Sequence, residues 1–204
     1  MSAPTSPPPF VVLSRETIWK GFCHLERVVF DLRTAAGGSH RHSFVIESHG
    51  HAAAVLAFDP LRREAVLVRQ LRLPQALEGD DPMSLEIIAG LLDHAGEPPE
   101  ETARREAMEE AGLALTRIEP IAAARSSPGL CAEKVWIYLA EVDLSTARIA
   151  DGGGLAHEGE EIEVVVLPLA DLAAMADRGD GLDMKTLYAV QTLRLERPEL
   201  FAAA

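Results

Sequence analysis

The sequence predicts an α+β fold on a mixed sheet, with an antiparallel strand region at its N-terminus. Three observations predict it. Short runs rich in Val, Leu and Ala pattern as strands through residues 17–71. Helical patterning is confined to one segment near the middle and two at the end. The two kinds of element interleave irregularly, which excludes a doubly wound sheet. With 204 residues, 48% of them apolar, the chain can bury a sizeable core in one large domain with a small accessory element.

Residues 1–10 are Pro-rich and read as a flexible tail; 11–48 read as the strand region and 49–204 as the main domain. The stretch 17–31, with Val28-Val29-Phe30, is strand-like, and Gly37-Gly38 mark a hairpin turn into a strand over 42–47. Strands over 51–58 and 64–71 are joined by the turn Asp59-Pro60-Leu61-Arg62. A strand over 84–88 runs into Ala89-Gly90. The clearest helix covers 99–111: Glu100 and Glu101 suit its N-terminus and Gly112 is placed to end it. Strands over 118–123, 134–142 and 161–167 follow, then helices over 169–178 and 184–195.

Composition excludes several function classes. A net charge of −13 opposes a nucleic-acid partner, since phosphate backbones are held by clustered Lys and Arg. It does not oppose a small polyphosphate bridged to the protein by divalent cations. No apolar run is long enough to cross a bilayer, and the N-terminus lacks the basic and apolar regions of a signal peptide. Two cysteines, Cys23 and Cys131, stand in no metal-ligand spacing and fit a reducing cytoplasm. The seven His residues form no HExxH and their spacing offers no zinc site.

The segment 89–113, AGLLDHAGEPPEETARREAMEEAGL, carries the chemistry. Glu106 and Glu110 are four apart on one helix, so both carboxylates project from one face and repel. Taken alone, the pair reads as a solvated acidic face; a hard cation between them is the functional reading. The whole string resembles the signature of the Nudix hydrolase family. Glu97, seven residues, then Arg105-Glu106-Ala107-Met108-Glu109-Glu110-Ala111-Gly112-Leu113 match it in spacing. Six residues, where the family has five, separate Gly90 from Glu97, so either the loop has one extra residue or Leu91 takes the Gly position.

The resemblance implies an α/β/α sandwich with a mixed sheet. It implies metal binding by Glu106, Glu110 and the carbonyl of Ala89, with Mg²⁺ as cofactor and Mn²⁺ as substitute. Gly90, Glu97, Arg105 and Gly112 match structural positions of the motif, and Glu109 braces loop and helix, joins the metals or serves as a second candidate base. Outside the signature the chain is similar to the ADP-ribose and GDP-mannose pyrophosphatase branch over residues 17–196. Arg72 matches an Arg that contacts the diphosphate, for which a guanidinium fork suits phosphate oxygens. Ser127-Pro128-Gly129 and Glu133 match a substrate loop, although Ser-Pro-Gly by itself is only a turn. In the acidic loop 154–162, Glu158 matches the group acting on the attacking water and Glu160 a metal ligand. Phe22 matches an aromatic beside the base; a core Phe is the equal alternative. An Arg-Glu pair usual in the branch is missing where this chain has 40–45.

The implied function is hydrolysis of a small nucleoside diphosphate derivative, ADP-ribose giving AMP and ribose 5-phosphate, by a cytoplasmic homodimer whose N-terminal strands cross between subunits. GDP-mannose or another nucleotide-sugar is the alternative substrate. Gly152-Gly153-Gly154 lean that way, whereas Gly50-His51-Ala52-Ala53 lean toward ADP-ribose. A non-catalytic nucleotide sensor is the rival from another class; lost metal carboxylates or a DNA-binding element would mark it, and the sequence has neither.

Overall fold

The apolar runs of the sequence sort into two sheets. In the computed structural model, which describes residues 9–146, 153, 161–179 and 181–202, each sheet belongs to its own unit. The first unit is Met1–Gly50 with Arg125–Glu133; the second is His51–Ala124 with Lys134–Ala204.

The first unit holds an antiparallel sheet of β1 (Phe10–Lys20), β2 (His24–Arg33) and β3 (Ser39–Ser48), in that order. The stretch 17–31 is therefore two strands, not one. Gly21-Phe22-Cys23 turn the chain, a break hidden by the strand-like residues on either side. Phe10, at the end of the segment read as a tail, opens β1. The expected hairpin turn joins β2 to β3, with Gly37 N–H donating to the Thr34 carbonyl at 3.0 Å. Opposite charges face each other across the ladder, Glu16 against Arg27 and Asp31 against Arg41, which helps to set the register.

The second unit is built on a seven-stranded sheet. Its strands are β4 (Ala52–Asp59), β5 (Glu64–Leu71), β6 (Met83–Glu86), β7 (Ile88–Leu91), β8 (Glu119–Arg125), β9 (Lys134–Glu141) and β10 (Glu163–Pro168). The main path runs β10-β5-β4-β9-β8, and the sheet is mixed because β4 pairs β9 in parallel while its other pairings are antiparallel. That other edge of β4 is forked: Ala52–Val55 pair β7, and Ala57–Asp59 pair β5. The helices are α1 (Leu73–Glu78), α2 (Pro99–Ala111), α3 (Leu169–Arg178) and α4 (Met184–Glu196). Side chains alternate along β4, as strand geometry requires. Ala52, Ala54, Leu56 and Phe58 enter a core with Leu172 of α3 and Leu193 of α4. Ala53, Val55 and Ala57 enter a second core with Ala103, Ala107 and Ala111 of α2. Helices cover both faces, giving the α/β/α sandwich.

Two local features depart from the sequence reading. The strand over 84–88 is interrupted at Ile87, whose N–H donates to the Thr186 hydroxyl of α4 at 2.9 Å in the buried core. This bond satisfies a backbone donor that the break removes from the ladder. The short helix α1, with Pro74 in its first turn, has no periodic signal in its six residues.

Candidate active site

Helix α2 spans the segment expected of it, and Gly112 takes the left-handed conformation (φ 63°) that closes it. Its partner is β7, which carries Ala89 and Gly90. A Cβ on Gly90 would lie 2.0 Å from the Glu106 carboxyl carbon, so only glycine lets that carboxylate lie over the strand backbone. This close approach suits Gly90 to the Gly position of the motif. Glu110, 3% exposed, accepts the Ala89 N–H at 3.2 Å. Ala103, Ala107 and Ala111 pack into the core along the adjoining stripe of α2, which sets Glu106 and Glu110 at its border, facing β7.

Arg105 braces this corner. It donates to Glu106 at 2.7 Å, Glu109 at 2.8 Å, the Leu91 carbonyl and Asp93 at 3.3 Å, and Glu97 at 3.4 Å. Glu97 also accepts the Thr102 hydroxyl at 2.8 Å, tying the loop to the first turn of the helix. One guanidinium thus serves several carboxylates, and Glu106 is left short of positive charge. Burial, with Glu109 and Asp93 adding repulsion against the pull of Arg105, pushes its acid up to about 7. The donor set is all oxygen, and the Gly90 cradle holds one carboxylate beside the Ala89 backbone. Both features fit a hard divalent cation. Side chains that converge most closely for an ion, among the described residues, are nevertheless elsewhere: Glu47, His49 and Cys131.

Arg72, just before α1, is held by a carboxylate that the sequence reading passed over. Its Nε and Nη2 donate to the two oxygens of Glu86 at 2.7 and 2.9 Å, a bidentate pair. Glu86 is buried, and Lys185 of α4 reaches it from the other side at 2.6 Å while also bonding Asp183. Burial raises the Glu86 acid, but Arg72 and Lys185 outweigh it and hold the group down at about 2. Asp183 in turn caps α4 by accepting the Thr186 N–H at 2.7 Å. The available signal was a lone acid inside the apolar run Leu85-Glu86-Ile87-Ile88. A small cavity of about 20 Å³ beside Phe58, Arg117 and Arg197 has room for one water and is no substrate site.

The NUDIX domain profile matches residues 48–188. The chain belongs to the Nudix family. It is similar to the ADP-ribose pyrophosphatase of Escherichia coli (strain K12), 37% identical over 190 residues that cover 93% of this chain and 90% of that one. The GDP-mannose pyrophosphatase of Pectobacterium atrosepticum is 35% identical over 184 residues, covering 90% and 93% of the two chains. The crystal structure of an ADP compounds hydrolase superposes with a TM-score of 0.73 at 20% identity, covering 96% of this chain and 98% of that one, a likeness of fold.

In this Nudix chain the remaining expected residues fall in three places. Arg72 and the signature lie in the second unit; Phe22, Ser127, Pro128, Gly129 and Glu133 lie in the first. Phe22 is 85% exposed in the β1–β2 turn and stacks on the His49 ring at 6.1 Å, so it is not a core residue. Ser127-Pro128-Gly129 form a turn closed by Leu130 and Cys131 N–H groups donating to the Ser127 carbonyl. Glu133 contacts His49 Nε2 at 3.2 Å. Glu158 and Glu160 lie outside the described residues.

Proposed function

We propose that the chain is a Mg²⁺-dependent pyrophosphohydrolase that cuts ADP-ribose to AMP and ribose 5-phosphate. The observation that carries the reading is the Glu106 carboxylate resting on Gly90, under-compensated in charge and beside the buried Glu110. Curated relatives with the name ADP-ribose pyrophosphatase, alike over nine-tenths of both chains, support the substrate. Glu106, Glu110, the Ala89 carbonyl and Glu160 would hold Mg²⁺, or Mn²⁺ in its place. Bound there, the ion supplies charge to the phosphate oxygens and acidifies a water. Glu158 takes the proton of the attacking water, with Glu109 as the next candidate. Arg72 orients the diphosphate: Glu86 grips its Nε and Nη2, which aims the rest of the guanidinium and removes the entropy of a loose side chain. Arg105 holds Glu106 and Glu109 in place through its hydrogen bonds to both.

GDP-mannose is the second reading, favoured by relatives of that name at 34–36% identity. We assign the enzyme to the cytoplasm as a homodimer joined through the first unit, whose strands expose Val12, Trp19, Phe44 and Val45. Comparing kcat/KM for ADP-ribose, GDP-mannose and ATP in Mg²⁺ tests the assignment. ADP-ribose is expected to lead; a lead for ATP or a dinucleoside polyphosphate would overturn it.

A further inference from the structure

The segment after the Ser127–Gly129 turn meets the end of β3 through an isolated parallel bridge between Glu47 and Cys131. Two backbone bonds fasten it: Glu47 N–H to the Leu130 carbonyl and Ala132 N–H to the Glu47 carbonyl, both 2.9 Å. In extended backbone, residues two apart share a face. His49 therefore follows Glu47, and Glu133 follows Cys131, in two matched steps along paired segments. Four side chains with ligand atoms stand together, all within the first unit and all partly buried.

Their contacts are ordered. One Glu47 oxygen accepts from His49 Nδ1 at 2.8 Å, and the other accepts from the Cys131 thiol at 2.8 Å. A carboxylate oxygen of Glu47, an imidazole nitrogen of His49 and Cys131 Sγ lie within 4.8 Å of one another. Bonds of about 2.0–2.3 Å at tetrahedral angles require ligand atoms roughly 3.4–3.7 Å apart, so the 2.8 Å Glu47 contacts open and the wider spacings close, an adjustment within rotamer reach. Behind the ring, Glu133 contacts Nε2 at 3.2 Å. That is the carboxylate–histidine arrangement which orients a metal-bound imidazole and raises its basicity. Burial and Glu47 push the Cys131 thiol up, so it is protonated without an ion; the Glu133 N–H, 3.3 Å from Sγ, is placed to donate to the sulfur once a cation displaces that proton.

We propose that Glu47, His49 and Cys131 form a site for a thiophilic divalent ion of the Zn²⁺ type, separate from the signature helix, with Glu133 orienting His49. One oxygen, one imidazole nitrogen and one thiolate select Zn²⁺ or Co²⁺ over Mg²⁺. The exchange balances. The ion replaces the proton on Nδ1 and the proton on Sγ, so two protons leave and the net charge of the cluster is unchanged. The bound ion clips residues 125–133 to the end of β3, and solvent or a substrate group completes the fourth position.

The test uses the full chain, reduced, stripped with chelator and held in excess Mg²⁺ so that hard-cation sites are filled. Titration with Co²⁺ should give one equivalent bound per chain and a thiolate-to-cobalt charge-transfer band in the near ultraviolet. Zn²⁺ should displace it. Cys131→Ser should abolish the band and Cys23→Ser should keep it, with circular dichroism confirming that both variants fold. If Cys131→Ser is misfolded, His49→Gln takes its place and should weaken Co²⁺ binding at least tenfold. Glu133→Gln should raise the Co²⁺ Kd by about 10–100-fold while the band persists at saturation. No band in the wild-type chain, or a band that survives Cys131→Ser, would overturn the proposal.

Discussion

Strands β1 and β4 are both rich in apolar residues, yet all eleven residues of β1 are exposed and all eight of β4 are buried. β4 is made largely of small side chains, Ala52, Ala53, Ala54 and Ala57, and helices approach it from both faces. β1 carries Phe10, Val12 and Trp19 with strand pairing on one edge only. The difference teaches that hydrophobicity marks a surface to be covered without saying what covers it. In the second unit the chain's own helices do so; in the first, Phe10, Val12 and Trp19 remain exposed.

The largest test of this contrast lies in the covered unit. Glu106→Gln should lower kcat on the order of 10³-fold with an unchanged circular dichroism spectrum, because charge is lost where burial already disfavours it. Gly90→Ala, which drives a methyl into the same carboxylate, should act alike; near-normal turnover in either variant removes this corner from the mechanism. Next comes packing. Phe58→Ala, in the core beneath α3 and α4, should cost about 3–5 kcal/mol in urea unfolding. Phe44→Ala, 55% exposed in β3, should cost under about 1 kcal/mol in a monomer. Equal losses measured at high dilution would erase the distinction between the sheets.

Association gives a third measurement. Val12→Lys with Trp19→Lys should halve the mass seen by light scattering while the second unit melts at its usual temperature; an unchanged mass would place the interface elsewhere. The smallest effect is on acid stability. Glu86 has a folded-state pKa of about 2 against an ordinary 4.5, so its stabilisation is complete above 4.5 and is lost as the pH falls toward 2. Glu86→Gln should flatten stability across that window, and a wild-type slope in the variant would contradict the Arg72–Glu86–Lys185 arrangement.

What was legible follows from how local each signal is. Helix α2, its Gly112 terminator and the pair of strands β4 and β5 were readable because period, cap and turn residues lie within one stretch of chain. The Gly90–Glu106 contact was readable only through the family motif, since fifteen residues of loop and helix intervene. The break at Ile87 was not readable, because the hydroxyl that permits it comes from Thr186. Nor was the assembly of Glu47 and His49 with Cys131: spacing rules for metal ligands look along the chain, and these residues meet through a bridge between distant segments.

The parallel pairing of β4 with β9 also bears on how the chain is made. Ala52 finds Val135 only after β5, β6, β7, the signature helix and β8 have been synthesised. The middle of the sheet therefore waits on late residues, a long-range closure that slows folding. A nascent or truncated chain ending before Lys134 would leave one edge of Ala52–Asp59 bare, apolar on both faces and free of charge until Asp59. Such an edge invites pairing with a second unfinished chain, so the strand most protected in the finished enzyme is the one most exposed to aggregation during its synthesis.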